Sequence, residues 1–167
     1  RRPLREVRPY PARGSWTEPN CRIEVEHLGR RVAIYCVHVL PPARLELVAE
    51  QRRQIAWLAG DAEATLARPD APEAVILAGD FNAPFHTNHL RELRGLGLRE
   101  SHAAAGAGRG ATWKPRGGLL SRAPGIRLDH TMFSLALRCV GATVGPYVGS
   151  DHQPIAARFV WRDESEP

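Results

Sequence analysis

Carboxylate, amide and imidazole side chains stand at the ends of several short apolar runs in this sequence. The run 75–78 leads through Gly79 to Asp80 and Asn82. Because side chains two apart in a strand point to the same side, we expect the carboxylate and the amide to face one crevice at the carboxyl end of a buried strand. A carboxylate acceptor beside an amide donor can hold a water molecule and a phosphate oxygen.

Three further polar sites of this type occur along the chain. They are His38, the pair Asp129 and His130, and the pair Asp151 and His152. Each alone has an ordinary explanation, because a strand-end Asp commonly caps a turn and a single His is more often a hydrogen-bonded structural residue. The ends of neighbouring strands meet at one edge of a sheet, so the four sites together predict one shared crevice.

The periodicity of the apolar residues predicts the elements that would position these sites. Residues 23–26 and 31–40 are predicted to form a hairpin, and 44–68 an amphipathic helix. Strands separated by helices indicate the α/β class, and the hairpin favours a mixed sheet over a fully parallel one. Further strands are expected in the regions 75–80, 127–133, 139–144 and 155–161.

Two stretches are predicted to lack regular structure of their own. Residues 1–20, rich in Arg and Pro, are interpreted as a loop or an edge segment. Residues 101–125, rich in Ala and Gly with Thr112 and Trp113 inside, are predicted to form one long loop. Loops of this length in a compact domain are usually functional or mobile.

The length and composition are those of one globular domain, with 167 residues, 43% apolar and 25% charged. No apolar run approaches the roughly 20 residues that span a bilayer. The chain does not begin with Met, and we interpret residues 1–162 as a partial domain followed by an acidic tail at 163–167. Location is left open between cytoplasmic and membrane-tethered.

The net charge of +5 and a pI near 9.7 favour anionic partners only weakly. Of the 23 basic residues, Lys114 is the single lysine, and a GC-rich genome explains the arginines at least as well as phosphate binding does. The three cysteines have no metal-binding spacing. Cys36 and Cys139 lie in apolar runs and are predicted to be small core residues.

The ordered motifs GDFN at 79–82, RLDH at 127–130 and SDHQP at 150–154 resemble the endonuclease/exonuclease/phosphatase superfamily. The stretch from His38 into two prolines and the pair Thr112–Trp113 fit the same pattern. The resemblance covers about residues 22–160 and implies an α/β (α+β) fold, a sandwich of two mixed sheets flanked by helices, with the N-terminal part missing. It also implies metal-dependent hydrolysis of a phosphate ester.

The resemblance implies a role for each site residue. Asp80 would position or deprotonate the attacking water, and Asn82 would donate a hydrogen bond to a phosphate oxygen. His38 would donate to the phosphate or protonate the leaving oxygen. Asp129 would hold His152 in one tautomer as a proton acceptor, with His130 as a strand neighbour only.

For the metal, the resemblance implies Asp151 as a ligand of Mg²⁺ or Mn²⁺. The family's first half also supplies an Asn and a metal-binding Glu, and neither motif is visible in this sequence. We therefore expect the 167 residues alone to be close to inactive, because Mg²⁺ gives up its water shell reluctantly and needs enough oxygen ligands.

The substrate stays open at this point. The loop 101–125 has four cations, Arg109, Lys114, Arg116 and Arg122, fewer than duplex DNA binding normally uses. This favours a lipid-linked or small phosphoester, as in some bacterial members, with nucleic acid and nuclease activity as the alternative. A catalytically inactive phosphate-binding or scaffold domain is an alternative of another class. No obligate protein partner is evident.

Overall fold

The computed structural model describes residues 4–10, 20–114 and 124–162, with side chains described from residue 20 onward. The predicted acidic tail at 163–167 lies outside these residues. The elements are β1 Leu4–Tyr10, β2 Asn20–His27, β3 Arg30–His38, α1 Leu45–Leu66, β4 Ala74–Asp80, a 3-10 turn Asn88–Leu90, α2 Arg91–Gly95, β5 Arg99–Glu100, α3 Ser101–Ala105, β6 Asp129–Phe133, β7 Leu137–Val144 and β8 Ile155–Trp161.

The strands form two sheets, as expected from the sequence. Six strands follow the order β1-β2-β3-β4-β6-β5, and β7 pairs with β8 in a second, antiparallel sheet. The larger sheet is mixed, because β3 and β4 run parallel and their other neighbours run antiparallel. The predicted mixed α+β fold with two sheets is therefore confirmed.

The hairpin of β2 and β3 closes through a two-residue turn. Leu28 and Gly29 have φ angles of 56° and 75°, the left-handed pair that a type I′ turn requires. The turn keeps the register continuous from His27 opposite Arg30 to Cys21 opposite Cys36. The hairpin thus fixes where β3 ends, and His38 is the last residue of that strand.

Helix α1 covers one face of the larger sheet, and the small sheet covers the other. The apolar stripe of α1 packs with buried residues of β3 and β4, among them Tyr35 and Leu77. On the opposite face, Val32 and Phe133 pack against Leu137 of β7. None of the described helices is long and apolar enough to cross a membrane.

Part of residues 1–20 forms the edge strand β1, which agrees with the edge-segment alternative of the prediction. Two other sequence expectations need correction. The stretch 101–125 begins with helix α3, whose backbone is capped by the side chain of Glu100, and 115–123 lie outside the described residues. Cys139 is buried as predicted, but Cys36 is exposed because it lies where the small sheet no longer covers β3.

Candidate active site

The strand register places three of the predicted residues side by side. In the parallel pairing of β3 with β4, His38 lies opposite Asp80. In the antiparallel pairing of β4 with β6, Asp80 lies opposite Asp129. The end of β4 therefore stands between the other two residues, and the polar side chains meet at one edge of the sheet.

Gly79 allows β4 to approach β3 closely just before Asp80. Its φ is 144°, and a Cβ atom there would lie 1.9 Å from the carbonyl oxygen of Val37. No other residue type fits this position without moving one of the strands. The glycine of the GDFN motif is thus a packing requirement of the sheet.

Asn82 orients the Asp80 carboxylate. Its backbone N–H donates to Asp80 Oδ1 at 2.8 Å, and its Nδ2 donates to Asp80 Oδ2 at 3.0 Å and to the Val39 carbonyl at 2.8 Å. Asn82 has a positive φ of 47°, which Asn tolerates better than most residues. Both amide hydrogens are directed to protein acceptors, and the phosphate contact assigned to Asn82 stays a prediction.

The Asp129–His152 pair has the hydrogen bond that the family resemblance implies. His152 Nδ1 and Asp129 Oδ2 are 2.8 Å apart, and His152 Nε2 is 3.8 Å from Asp80 Oδ2. A carboxylate acceptor at Nδ1 places the proton on that nitrogen in the neutral ring. Nε2 is then the nitrogen that faces Asp80 and can accept a proton.

The pair Thr112–Trp113 ties the segments that carry Asp129 and His152 together. Thr112 is fully buried, and its Oγ1 accepts the backbone N–H of Asp129 at 3.1 Å. The Thr112 carbonyl accepts the N–H of Gln153 at 2.7 Å, and Trp113 forms a β-bridge with His152. These contacts bring the loop 150–153 to the end of β6.

The charges of the site act on one another. Burial raises the pKa of Asp80, the N–H of Asn82 lowers it, and the Asp129 charge raises it again, so the net shift is upward. Burial lowers the pKa of His152, but the hydrogen bond and charge of Asp129 outweigh it and the net shift is upward. Proton uptake by the ring is therefore favoured by the carboxylates around it.

Asp80, Asp129 and His152 could also hold a metal ion. One ligand atom from each lies within 4.8 Å of the others. Two carboxylates and an imidazole fit a divalent cation in charge and donor type, with water filling the other positions. Asp151, the predicted ligand, is exposed and outside this group, although its charge contributes to the raised pKa of His152. Its role as a ligand stays a prediction.

His38 stands at the open side of the site. Its Nε2 lies 3.8 Å from Asp80 Oδ2, and its side chain is 42% exposed. The backbone of His38 exchanges two hydrogen bonds with the side chain of Asn20, at 3.2 Å and 2.5 Å. Sequence reasoning missed Asn20, because nothing in the local pattern distinguishes it from an ordinary residue at the start of a strand.

His130 points away from the site, to the opposite side of β6. It is fully buried, and its Nε2 lies 2.9 Å from the Ala83 carbonyl. Its Nδ1 is 3.7 Å from Glu100 Oε1, beyond hydrogen-bond distance, and that oxygen accepts from Arg127 at 2.9 Å. Burial raises the pKa of Glu100, but the contacts with His130, the Ala103 N–H and Arg127 outweigh it and lower the pKa to about 2.

Gln51 of α1 is a second residue that sequence reasoning missed. It is fully buried, and its Nε2 donates to the carbonyl oxygens of Asn82 at 3.0 Å and Phe81 at 3.4 Å. The signal was present, because Gln51 continues the helical spacing of the buried Ile55 and Leu58. A polar residue in an apolar stripe needs a buried partner.

Comparison with known proteins gives one family and a set of similar folds. The family model described as "Endonuclease/Exonuclease/phosphatase family" matches residues 1–152. A comparison with curated proteins found no match.

Solved structures with a similar fold come from several organisms. An endonuclease/exonuclease/phosphatase from Beutenbergia cavernae DSM 12333 matches 96% of this chain and 46% of its own, at 19% identity and a TM-score of 0.71. Truncated Caenorhabditis elegans TDP2 matches 93% and 65%, at 18% identity and a TM-score of 0.70. A family protein from Leptotrichia buccalis C-1013-b matches 96% and 62%, at 16% identity and a TM-score of 0.69. This chain thus spans about half to two thirds of the structures that share its fold.

Proposed function

Since this chain belongs to the endonuclease/exonuclease/phosphatase family, we propose that it carries the catalytic residues of a metal-dependent phosphoesterase. The observation that carries the proposal is the convergence of Asp80 with the hydrogen-bonded pair Asp129 and His152 within 4.8 Å. Carboxylates that flank an oriented imidazole are the groups that activate water for attack on phosphorus.

In this proposal Asp80 and His152 act on the attacking water. Asn82 fixes both oxygens of the Asp80 carboxylate, so Asp80 can orient a water molecule without reorganising. Asp129 holds the imidazole with Nε2 as the acceptor and stabilises the ring once it has taken the proton. His38, on the exposed side, donates to the phosphate or to the leaving oxygen.

A divalent ion, Mg²⁺ or Mn²⁺, would be held by Asp151, the ligand favoured by the motif, together with an oxygen of Asp80, because Asp129 and His152 are committed to proton transfer. When bound, such an ion supplies positive charge that offsets the charge on the phosphoryl oxygens. Without the ion, the negative charges of these carboxylates would repel the anionic substrate.

The substrate is proposed to be a lipid-linked or small phosphoester. The described cations of the loop after α3, Arg109 and Lys114, are exposed and few, and Arg116 and Arg122 lie outside the described residues. Nuclease activity is the second candidate, and the net charge of +5 favours it. An inactive phosphate-binding domain would have no need to keep the Asp129–His152 hydrogen bond beside an oriented Asp80.

The test is hydrolysis of bis(p-nitrophenyl) phosphate by the full-length protein, with Mg²⁺ or Mn²⁺ and with a chelator. We expect turnover that the chelator abolishes and the metal restores. Turnover that is unchanged by Asp80→Asn would overturn the assignment, because the remaining activity would not depend on the carboxylate at the centre of the site.

A further inference from the structure

A second polar pocket lies on the helical side of the larger sheet, away from the small sheet. It has a volume of about 250 Å³ and is lined by Arg52, Asn88, His89, Arg91 and Glu92. The first of these belongs to α1, and the other four lie on the 3-10 turn and α2 that follow the GDFN segment. None of them is a residue of the candidate active site.

The lining favours an anion. Two guanidinium groups, Arg52 and Arg91, outnumber the single carboxylate of Glu92. Within the described ranges, neither arginine has an ion-pair partner, whereas the neighbouring Arg53 is paired with Glu50 at 2.6 Å. Arginine presents several N–H donors in a plane that matches the oxygens of a phosphate group.

One wall of the pocket is fixed by a buried side chain that also touches the active-site loop. Oε1 of Gln51 lies 2.5 Å from Nδ1 of His89, and Nε2 of the same amide donates to the carbonyls of Asn82 and Phe81. Because an amide oxygen can only accept, Nδ1 of His89 carries the proton. The second ring nitrogen, Nε2, is the one that Gln51 does not engage. An anion bound beside the ring favours its charged form, in which Nε2 also carries a proton and can donate to a phosphate oxygen.

Gln51 and Asn82 together connect the wall of the pocket to the Asp80 carboxylate. Asn82, whose carbonyl accepts from Gln51, is the residue that holds the Asp80 carboxylate. A substrate with phosphate groups at two positions could occupy both places, while a substrate with one phosphate could occupy only one.

We propose that the pocket lined by Arg52, His89 and Arg91 binds a second phosphate group of the substrate. The inference rests on the proposed phosphoesterase function and deepens it, because it selects substrates with more than one phosphate. The shared chemistry is a phosphate oxyanion, which a nucleic-acid backbone and a polyphosphorylated headgroup both supply.

Binding is measured without turnover by titrating inorganic phosphate into the full-length protein and following the His89 ring resonances by NMR. We expect the His89 signals to move. Replacing Arg52 or Arg91 with Gln should weaken binding about fivefold each, the upper end for an exposed ion pair. Glu92→Gln should strengthen it, since the repelling carboxylate is removed.

Arg53→Gln is the matched control, because it removes the same charge from the adjacent position of α1 outside the pocket. We expect phosphate affinity in this variant to equal that of the parent protein. His89 signals that do not move would overturn the proposal. A loss from Arg53→Gln equal to that from Arg52→Gln would overturn it as well, because it would show an effect of net charge alone.

Kinetics then identify the source of the phosphate. An oligodeoxynucleotide and inositol trisphosphate are compared with bis(p-nitrophenyl) phosphate, which has one phosphate. We expect Arg52→Gln to raise KM for either the oligodeoxynucleotide or inositol trisphosphate more than for bis(p-nitrophenyl) phosphate. The substrate with the larger increase identifies the source of the second phosphate. Equal changes for all three would reject a second phosphate site. Failure to hydrolyse any of them would reject the proposed function while leaving the NMR result intact.

Discussion

Asp129 and His130 are adjacent on β6, and each belongs to a different pairing of a carboxylate with an imidazole. Asp129 pairs with His152 at an open edge of the sheet, where their side chains are 14% and 25% exposed. His130 lies beside Glu100 in the interior, where the side chains are 0% and 3% exposed. The alternation of the strand sends the two residues to opposite faces.

The surroundings of the two pairs differ more than their chemistry does. Glu100 has a permanent cation, Arg127, and caps helix α3 through the Ala103 N–H, so its charge is fully committed to the fold. Asp129 and His152 have a second carboxylate, Asp80, as their neighbour instead. A carboxylate–imidazole pair is therefore a sign of chemistry only where water and substrate can reach it and no fixed cation satisfies it.

The largest effect should come from Asp129→Asn at the open pair. Asn at this position cannot stabilise the protonated imidazole, so we expect kcat to fall about 10²- to 10⁴-fold, the range for general acid–base catalysis. KM should change little, because the substrate still meets the same metal and His38. The measurement is steady-state kinetics on bis(p-nitrophenyl) phosphate. A parallel loss in kcat and in thermal stability would make the open pair structural, like the buried one.

Glu100→Gln at the buried pair should act on stability instead. The lowered pKa of about 2 means that the charged form is favoured in the folded protein. Replacing it should cost about 3 kcal/mol at neutral pH, since a shift of one unit corresponds to about 1.4 kcal/mol. Urea unfolding measures the loss. A variant with unchanged stability and low kcat would reverse the assignment of the two pairs.

The stability contributed by Glu100 should also depend on pH. Because its folded pKa lies below the ordinary value of 4.5, the contribution is complete above that value and is lost as the pH falls toward 2. We therefore expect the difference in unfolding free energy between the parent and Glu100→Gln to shrink across this window. At pH 3 the parent protein should already have lost part of a charge-based contribution. A difference in unfolding free energy that stays constant from neutral pH to pH 3 would therefore contradict it.

The sequence predicted the open pair better than the buried one for a physical reason. Motif residues at strand ends follow the local order of the chain, so Asp80, Asp129 and His152 could be assigned to one crevice from the sequence, and the family resemblance implied the pairing of Asp129 with His152. The partners of His130 come from β5 and from the segment after β4, and no local pattern specifies that packing.

The same distinction explains what was missed in the fold. The α1 stripe and the alternating strands follow from periodicity, and they were predicted to within a few residues. The exposure of Cys36 and the helix α3 depend on which surfaces other elements cover and on a side-chain cap from Glu100. Tertiary contacts of this kind are not encoded in a short window of sequence.

The smallest effect is expected from Gln51→Leu, which removes the side chain that links the active-site loop to α1. Leucine keeps the volume near the apolar stripe but leaves the carbonyls of Phe81 and Asn82 without their donor. The stability loss should be about 1 kcal/mol, that of an average hydrogen bond, because water can reach the partly buried Asn82.

The variant separates the two kinds of role within one residue. If Gln51 positions Asn82 and through it Asp80, Gln51→Leu should lower kcat several-fold and leave KM for bis(p-nitrophenyl) phosphate unchanged. Gln51→Glu should lower kcat as well, because a carboxylate cannot donate to the two carbonyls. If Gln51 serves packing alone, Leu should match the parent in kcat. The comparison uses kcat at a temperature well below unfolding for all three proteins. The positioning role is therefore tested by kcat, which Glu100→Gln at the buried pair should leave unchanged.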